Sequence, residues 1–375
     1  MQHVFDGTTS DRAGAWLSVD LDALTRNYLF LSKKVGPAEC AAVVKADAYG
    51  LGLTHVGPVL ERAGARTFFV AHMEEGVALR KILPNVRIFV LHGFMPGCAE
   101  EMLTNNLLPV LNDVSQVRAW KTLSVKIGHA LPSAIQFDSG MSRFGLSEAD
   151  LDIPGLLDET LKPVLVMSHL ACADMPDSTF SATQRERFLQ MASRFPGVPR
   201  SLSASSGIFL GPDYHFELVR PGAALYGIAP DGGPNPLSAV ISLDARVVQV
   251  RSIKAGDRVG YGLTWAAKEP TRLATLGIGY ADGFFRAQAG QAAVWYQDVR
   301  LPLVGRVSMD SISIDIGALP DSTLKPGDIL SVVGPKQDVD ALARTGGTIG
   351  YEILTSLGSR FHRVYKMEKA LAESI

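Results

Sequence analysis

Lys45 stands at the end of the apolar run Cys40-Ala41-Ala42-Val43-Val44 and is followed by small residues and by Gly50 and Gly52. The run has the length and β-branched content of a buried parallel strand, and the glycines punctuate the turn after it. The lysine therefore falls at a strand's C-terminal end, where α/β barrels and open α/β sheets carry their active sites. A lysine held there out of water loses its proton and attacks a carbonyl to form a Schiff base. The alternative is a solvated loop lysine. Arg143, in Phe137-Asp138-Ser139-Gly140-Met141-Ser142-Arg143, follows a second strand-like run and offers a planar fork of donors for a carboxylate or phenolate oxygen. Its alternative is a surface ion pair. His169 ends a third run. Ser203-Ala204-Ser205-Ser206-Gly207 and Val219-Arg220-Pro221-Gly222-Ala223 supply hydroxyls, backbone N–H groups and a cation, a set that can hold a phosphate. Tyr280, in Gly277-Ile278-Gly279-Tyr280-Ala281-Asp282-Gly283, has glycine spacing that does not fit a dinucleotide loop and no helix after it. A buried structural tyrosine is the alternative there.

The elements that must position these residues are legible as alternation. Strand-like runs at residues 16–20, 67–71, 87–91, 107–111, 133–137, 163–167 and 224–228 are interleaved with amphipathic stretches such as 74–82, 114–122 and 181–194. This order predicts a parallel sheet with crossover helices, and the strand count favours a closed α/β barrel of the TIM type. At Pro230-Asp231-Gly232-Gly233-Pro234-Asn235-Pro236 the texture changes. Beyond it, residues 239–250, 271–278, 292–296, 301–304, 312–316 and 328–333 read as strands joined by tight turns, a mostly β second domain with one helical stretch at 349–357. The expected division is a barrel over residues 12–232 and a β-rich domain over 233–375, joined by residues 1–11.

The composition narrows the function classes. The 375 residues are 47% hydrophobic and 20% charged with a formal net charge of −2, an ordinary globular balance with no electrostatic footprint for nucleic acid. The three cysteines, Cys40, Cys98 and Cys172, are far apart and form no metal or disulfide framework, so no metal is expected and a reducing cytosol fits. The polar N-terminus lacks a signal-peptide core, and no apolar stretch is long enough to span a bilayer. The expected location is cytoplasmic, without a membrane partner.

The run Val43-Val44-Lys45-Ala46-Asp47-Ala48-Tyr49-Gly50-Leu51-Gly52 resembles the pyridoxal-phosphate attachment signature of alanine racemases. The resemblance extends from Trp16 to about Arg363 and carries several motifs in order. It implies pyridoxal 5'-phosphate as cofactor, with Lys45 as its attachment lysine. Tyr49, Ser206, Gly222, Ala223 and Tyr351 are implied at the phosphate, and Arg220 facing the pyridine nitrogen. His169 is implied as a bridge between that arginine and the catalytic tyrosine. The stretch ending in Arg143 resembles the family's Asp-Thr-Gly-Met-x-Arg motif, whose arginine meets the substrate carboxylate and the cofactor's phenolic oxygen. Two residues before its Asp, many members carry a lysine that in some is carbamylated and braces the arginine; this chain has Gln136, whose amide oxygen can accept a hydrogen bond but brings no charge. Ser205 replaces the usual Asn.

Tyr280 is implied as a second base, with Met309 and Asp310 lining the substrate pocket. These three are implied to reach the lysine of a partner subunit, in a head-to-tail homodimer acting on L- and D-alanine. A tyrosine base, with a reference pKa near 10, needs its phenolate favoured; His169 and Arg220 are the groups expected to do so. An arginine at the pyridine nitrogen stays protonated and cannot pass on its proton, which suits racemisation. The family also implies D-alanine supply for cell-wall synthesis. The rival readings are a racemase of broader specificity for serine or basic amino acids, a decarboxylase of the same architecture, and a non-catalytic cofactor carrier that resembles only the barrel half. A decarboxylase is expected to pair the pyridine nitrogen with a carboxylate, and a carrier has no need of Tyr280.

Overall fold

A computed structural model describes residues 10–95 and 97–367, which fall into two compact units, residues 23–238 and residues 10–22 with 239–367. In the first, the strands Ala42–Val43, Thr67–Val70, Arg87–Val90, Leu108–Leu111, Leu131–Gln136, Leu161–Met167 and Arg200–Ser201 lie side by side in chain order, each neighbouring pair parallel. Thr67–Val70 and Leu108–Leu111 are buried at every position, as strands covered on both faces must be. The ring closes through Leu218–Val219. This strand pairs in parallel with Glu39–Cys40 and is joined to the Arg200–Ser201 segment by Glu217 N–H to Arg200 O (3.2 Å) and Arg220 N–H to Ser203 O (2.8 Å). Helices Leu53–Arg62, Met73–Ile82, Val114–Ile127 and Phe180–Ala192 form crossovers. Val114–Ile127 has clear sequence signals at both ends: Asp113 Oδ1 accepts from Ser115 and Gln116 N–H, and Gly128 closes it with φ 88°. Residues 224–228, expected as a strand, instead belong to the short turn Ala223–Tyr226, ended by Gly227 at φ 83°. An apolar run of that length between glycines has no periodicity to separate the two outcomes.

In the second unit, Ile241–Ile253, Thr271–Leu276, Ile312–Asp315, Val299–Val304, Ala293–Tyr296 and Ile329–Val333 pair antiparallel in that order, and the last returns to the first, giving a closed six-stranded barrel. Ala15–Asp20, expected in the α/β barrel, pairs antiparallel with Ile241–Ile253 and parallel with His362–Lys366. The expected boundary at residue 232 therefore differs from the structural one, which leaves residues 12–22 with the β unit and falls between Ser238 and Ala239. Residues 1–9, expected to join that domain, and 368–375 lie outside the described residues. Besides the expected helix, found at Gly350–Ser356, a second one occurs at Val339–Thr345, capped by Asp338.

Candidate active site

Lys45 directly follows the strand Ala42–Val43 and its extension at Val44, whose N–H donates to Phe69 O (2.9 Å), so it stands at the barrel's C-terminal end as the sequence predicts. The chain then turns in an unusual way. Ala46, Asp47, Ala48 and Tyr49 all have φ between 53° and 56°, a left-handed turn of non-glycine residues that costs roughly 1–2 kcal/mol at each. Several contacts hold it. Gly50 N–H donates to Ala46 O (2.7 Å), Leu53 N–H to Asp47 Oδ1 (2.7 Å) and Ala46 N–H to Glu75 Oε1 (2.6 Å). The turn buries Tyr49, whose ring lies 4.7 Å from that of Tyr226, and the Tyr226 hydroxyl donates to Val43 O (3.1 Å).

The Tyr49 hydroxyl rests against Gly222, where an added Cβ would lie 2.3 Å from it. Around this contact are the groups expected at a phosphate. The Ala223 N–H donates to no acceptor among the described residues, and Ser206 opens the short helix Ser206–Leu210, half-buried. Ser205, which replaces the family's Asn, is buried and accepts from Gly222 N–H (3.0 Å) and Ala224 N–H (3.1 Å), fixing the glycine loop from beneath.

Arg220 is buried among neutral partners. It donates to Ser201 Oγ, to Ser168 O (2.7 Å) and to Leu202 O (3.4 Å) through its two terminal nitrogens, while Nε makes no hydrogen bond among the described residues. Burial pulls its pKa down to about 9, still charged at neutral pH. Desolvation, Arg220, Arg143 and Lys45 together push His169 down to about 3, so its imidazole is neutral. That ring forms no hydrogen bond among the described residues; the expected bridge to the arginine is absent, and Arg220 acts on it as a charge. The Lys45 amine is held below the usual lysine range by desolvation first and then by Arg143 and Arg220, with Glu75 opposing.

Arg143 lies in a loop shaped by Asp138, whose Oδ1 accepts from Gly140, Met141 and Ser142 N–H at 2.9, 2.9 and 3.1 Å. Its guanidinium is exposed, 5.7 Å from the Phe144 ring, with no carboxylate partner among the described residues. Gln136 is buried yet does not bond Arg143. Lys45, Tyr49, His169, Ser206, Arg220, Gly222 and Ala223 thus all sit at strand ends or in the loops beyond them, in one unit with Arg143.

Tyr280, Met309, Asp310 and Tyr351 belong to the β unit. Tyr280 opens the turn Tyr280–Asp282 and is 43% exposed; Met309 is 53% exposed. Their two loops run together. Tyr280 N–H donates to Ser308 O (3.1 Å) and Ala281 N–H to Met309 O (3.0 Å), an approach that only glycine at 279 permits, since a Cβ there would meet both carbonyl oxygens at 2.4 Å. Arg360 locks the pair. Its Nε and Nη2 reach the buried Asp282 carboxylate (2.6 and 2.7 Å) and its Nη1 reaches Asp310 (2.6 Å). Tyr351 is half-buried in the helix Gly350–Ser356.

Comparison with known proteins follows the same division. Residues 19–230 match the family model described as alanine racemase, N-terminal domain, and residues 240–365 match that for the C-terminal domain. The chain belongs to the alanine racemase family. It is 48% identical over 358 residues to a protein named alanine racemase, catabolic, of Agrobacterium fabrum, covering 94% of this chain and 92% of the relative. It is 43% identical to an alanine racemase of Brucella abortus, with 94% of each chain covered. Among solved structures, that of alanine racemase from Bartonella henselae, described as having covalently bound pyridoxal phosphate, superposes with a TM-score of 0.91 at 40% identity over 94% of this chain and 100% of that one. Matches to both domains remove the carrier reading, which covers the barrel half alone.

Three residues of this alanine racemase-family chain escaped the sequence reading. Glu75 ties the Lys45 turn to the next strand end. Gln184, fully buried, donates to His169 O (3.0 Å) and to Ser139 Oγ (3.4 Å) and accepts from Ala171 N–H (2.8 Å), coupling the Arg143 loop to the His169 strand end. Arg360 is the third. Only Glu75 left a local signal, as an acid in a helix's first turn.

Proposed function

We propose that this protein interconverts L-alanine and D-alanine with pyridoxal 5'-phosphate attached at Lys45, and that the second base is Tyr280 of the partner subunit in a head-to-tail homodimer. The observation that carries the reading is a lysine with a suppressed pKa at a barrel strand's end, beside a buried arginine that has no carboxylate partner. The residues present fit the cofactor. Nε of Arg220 is a donor left over for an acceptor such as a pyridine nitrogen, and Tyr49, Ser206, Gly222 and Ala223 offer a neutral set of hydroxyl and N–H donors for a phosphate, with Tyr351 of the β unit as a further proposed phosphate ligand. When bound, the cofactor withdraws electrons from the amino acid and so acidifies its Cα–H.

The protein's own residues do the rest. Arg143 receives the substrate carboxylate with its free fork, and Met309 and Asp310 line the substrate's surroundings. Arg220 stays protonated and keeps its proton, which leaves the electron sink weak and favours return of a proton to Cα. One base would hand a proton back to the face it came from; racemisation needs groups on both faces. Lys45 Nζ serves the face from which D-alanine loses its proton, and Tyr280 Oη serves the other. Tyr280 and Met309 are exposed on loops braced by Arg360, as residues offered to another chain would be. Neutral His169 adds no positive charge at neutral pH. Among the described residues no helix is long and apolar enough to cross a membrane; the cytoplasm is the proposed location. D-alanine supply to the cell wall is the proposed role, tested by whether a deletion strain needs added D-alanine; a defect confined to growth on alanine would instead favour the sense carried by the Agrobacterium relative's catabolic name.

The test is to incubate the holoenzyme with L-alanine in heavy water and follow optical activity and Cα deuteration together. Loss of rotation with deuterium uptake is expected. In Tyr280→Phe, D-alanine still exchanges its Cα proton through Lys45 while neither enantiomer racemises. Deuterium uptake without loss of rotation in the wild type would overturn the two-base reading, and no uptake at all would overturn the substrate.

A further inference from the structure

Glu75 occupies the third position of the helix Met73–Ile82, where a carboxylate commonly accepts from the N-cap N–H. One oxygen suffices for that. Here Oε2 accepts from Ala71 N–H (2.7 Å) and His72 N–H (3.1 Å), closing the loop after the strand Thr67–Val70. Oε1 is left for a different task and accepts from Ala46 N–H at 2.6 Å, the amide immediately after Lys45 and 29 residues away in the chain. Ala46 is also the first of the four left-handed residues, so this bond falls where the backbone departs from ordinary geometry. The charges that act on Lys45 are Arg143 and Arg220 from the later strand ends and Glu75, of which Glu75 alone is an anion; the imidazoles of His169 and of His92, in the loop after Arg87–Val90, also face the lysine, and their own proton affinity is lowered by it. His72, whose ring lies 4.4 Å from that of His92, packs at the same mouth.

We propose that Glu75 is a positioning residue for Lys45: its carboxylate clamps the left-handed turn to the neighbouring strand end and supplies the one negative charge at the lysine's base. The inference rests on the reading of Lys45 as the attachment lysine, but its test does not. Removing the charge while keeping one acceptor separates the two roles. In Glu75→Gln the amide oxygen retains one loop and the amide N–H₂ faces the N–H of the other, a donor against a donor. Lys45, having lost its opposing anion, then gives up its proton at lower pH.

The experiment follows acylation of Lys45 against pH in protein freed of cofactor, by peptide mass, alongside hydrogen exchange at residues 46 and 71. In Glu75→Gln the midpoint of Lys45 reactivity falls by about one pH unit. In Glu75→Asp the charge stays but the reach is shortened, so the midpoint moves by less than about 0.3 while exchange at residue 46 rises at least ~10-fold. In the holoenzyme the Gln variant loses kcat by roughly 10-fold or more with KM changed less than about threefold, the pattern of a displaced base. A helix-capping role alone would lower thermal stability and leave the midpoint where it was. An unchanged midpoint in Glu75→Gln, or, should that variant not fold, unchanged exchange at residue 46 in Glu75→Asp, overturns the proposal. If the wild type fails to attach pyridoxal phosphate, the proposed function fails and the acylation result still stands.

Discussion

The brace on the Tyr280 loop makes a quantitative prediction because its two halves differ in burial. Arg360 meets Asp282, whose side chain is 6% exposed, through two nitrogens, and meets Asp310, which is 61% exposed, through one. Among the described residues the Asp282 carboxylate has one other partner, the Gly279 N–H at 2.9 Å. Truncation in Arg360→Ala leaves a carboxylate in the interior with one donor; fully buried cases cost 3–5 kcal/mol, and because the arginine is itself 39% exposed water takes up part of the loss, so about 2 kcal/mol is expected. Asp310→Asn breaks an exposed pair and should cost about 0.5 kcal/mol or less. Arg360→Lys keeps the charge but cannot span both oxygens, and falls between, at about 1 kcal/mol. Calorimetry should therefore show Tm falling by about 4–8 °C in Arg360→Ala and by about 2 °C or less in Asp310→Asn. A loosened Tyr280 turn lowers kcat/KM by roughly tenfold. The two enantiomers have equal free energy, so that loss must be the same from L- and from D-alanine. If Asp310→Asn costs as much as Arg360→Ala, or if Arg360→Ala costs under about 0.5 kcal/mol, burial does not set the strength of this clamp and the reasoning fails.

Gly222→Ala places a methyl 2.3 Å from the Tyr49 hydroxyl, which the Tyr226 ring hinders from yielding, so the dissociation constant for pyridoxal phosphate should rise at least ~10-fold; equilibrium titration within twofold of wild type would refute the close approach. His169 is neutral in the folded protein down to about pH 3 but protonates near 6.5 when unfolded, so the unfolded state binds the extra proton between those values. Stability is fully present above pH 6.5 and declines as pH falls toward 3, by at most about 1.4 kcal/mol per unit, and a His169→Gln variant should show a shallower decline in acid denaturation melts. Gln136 offers no amine to carbamylate and makes no bond to Arg143, so bicarbonate added to carbonate-depleted enzyme should leave turnover unchanged, and a rise would show that Arg143 is braced in another way.

What could be read in the sequence was what is local. Lys45 and His169 follow apolar runs, and a run that ends in a polar residue announces a strand end whatever lies beside it. The residues that were missed act at a distance: Glu75 on residue 46, Gln184 on Ser139 and Arg360 on Asp282, separated by 29, 45 and 78 positions. Glu75 left only the mark of an acid in a helix's first turn, and nothing in the sequence near Gln184 or Arg360 tells which distant group either one reaches. The misplaced strand had a readable signature. Ala15–Asp20 alternates buried and half-buried positions, the pattern of a strand with one covered face, whereas Thr67–Val70 is buried throughout. Alternation in Trp16-Leu17-Ser18-Val19-Asp20 was thus evidence for the antiparallel unit.

The electrostatics of the barrel mouth follow from one imbalance. Arg143 and Arg220 bring two cations to a partly dry site, against the single carboxylate of Glu75, and the same excess lowers the proton affinity of Lys45 and of His169. A site so arranged favours anions, and both ligands implied for it carry them, a phosphate and an amino-acid carboxylate. Filling it changes the balance. A carboxylate on Arg143 offsets the cation that ranks next after desolvation in suppressing Lys45, so the lysine's affinity for a proton rises when substrate arrives. The lowered proton affinity of Lys45 while the mouth is empty favours the neutral amine that attack on a carbonyl requires, and the substrate carboxylate makes it a stronger base once there is a proton to take. Glu75, held by three backbone amides, opposes that suppression and so limits how far the lysine's proton affinity falls.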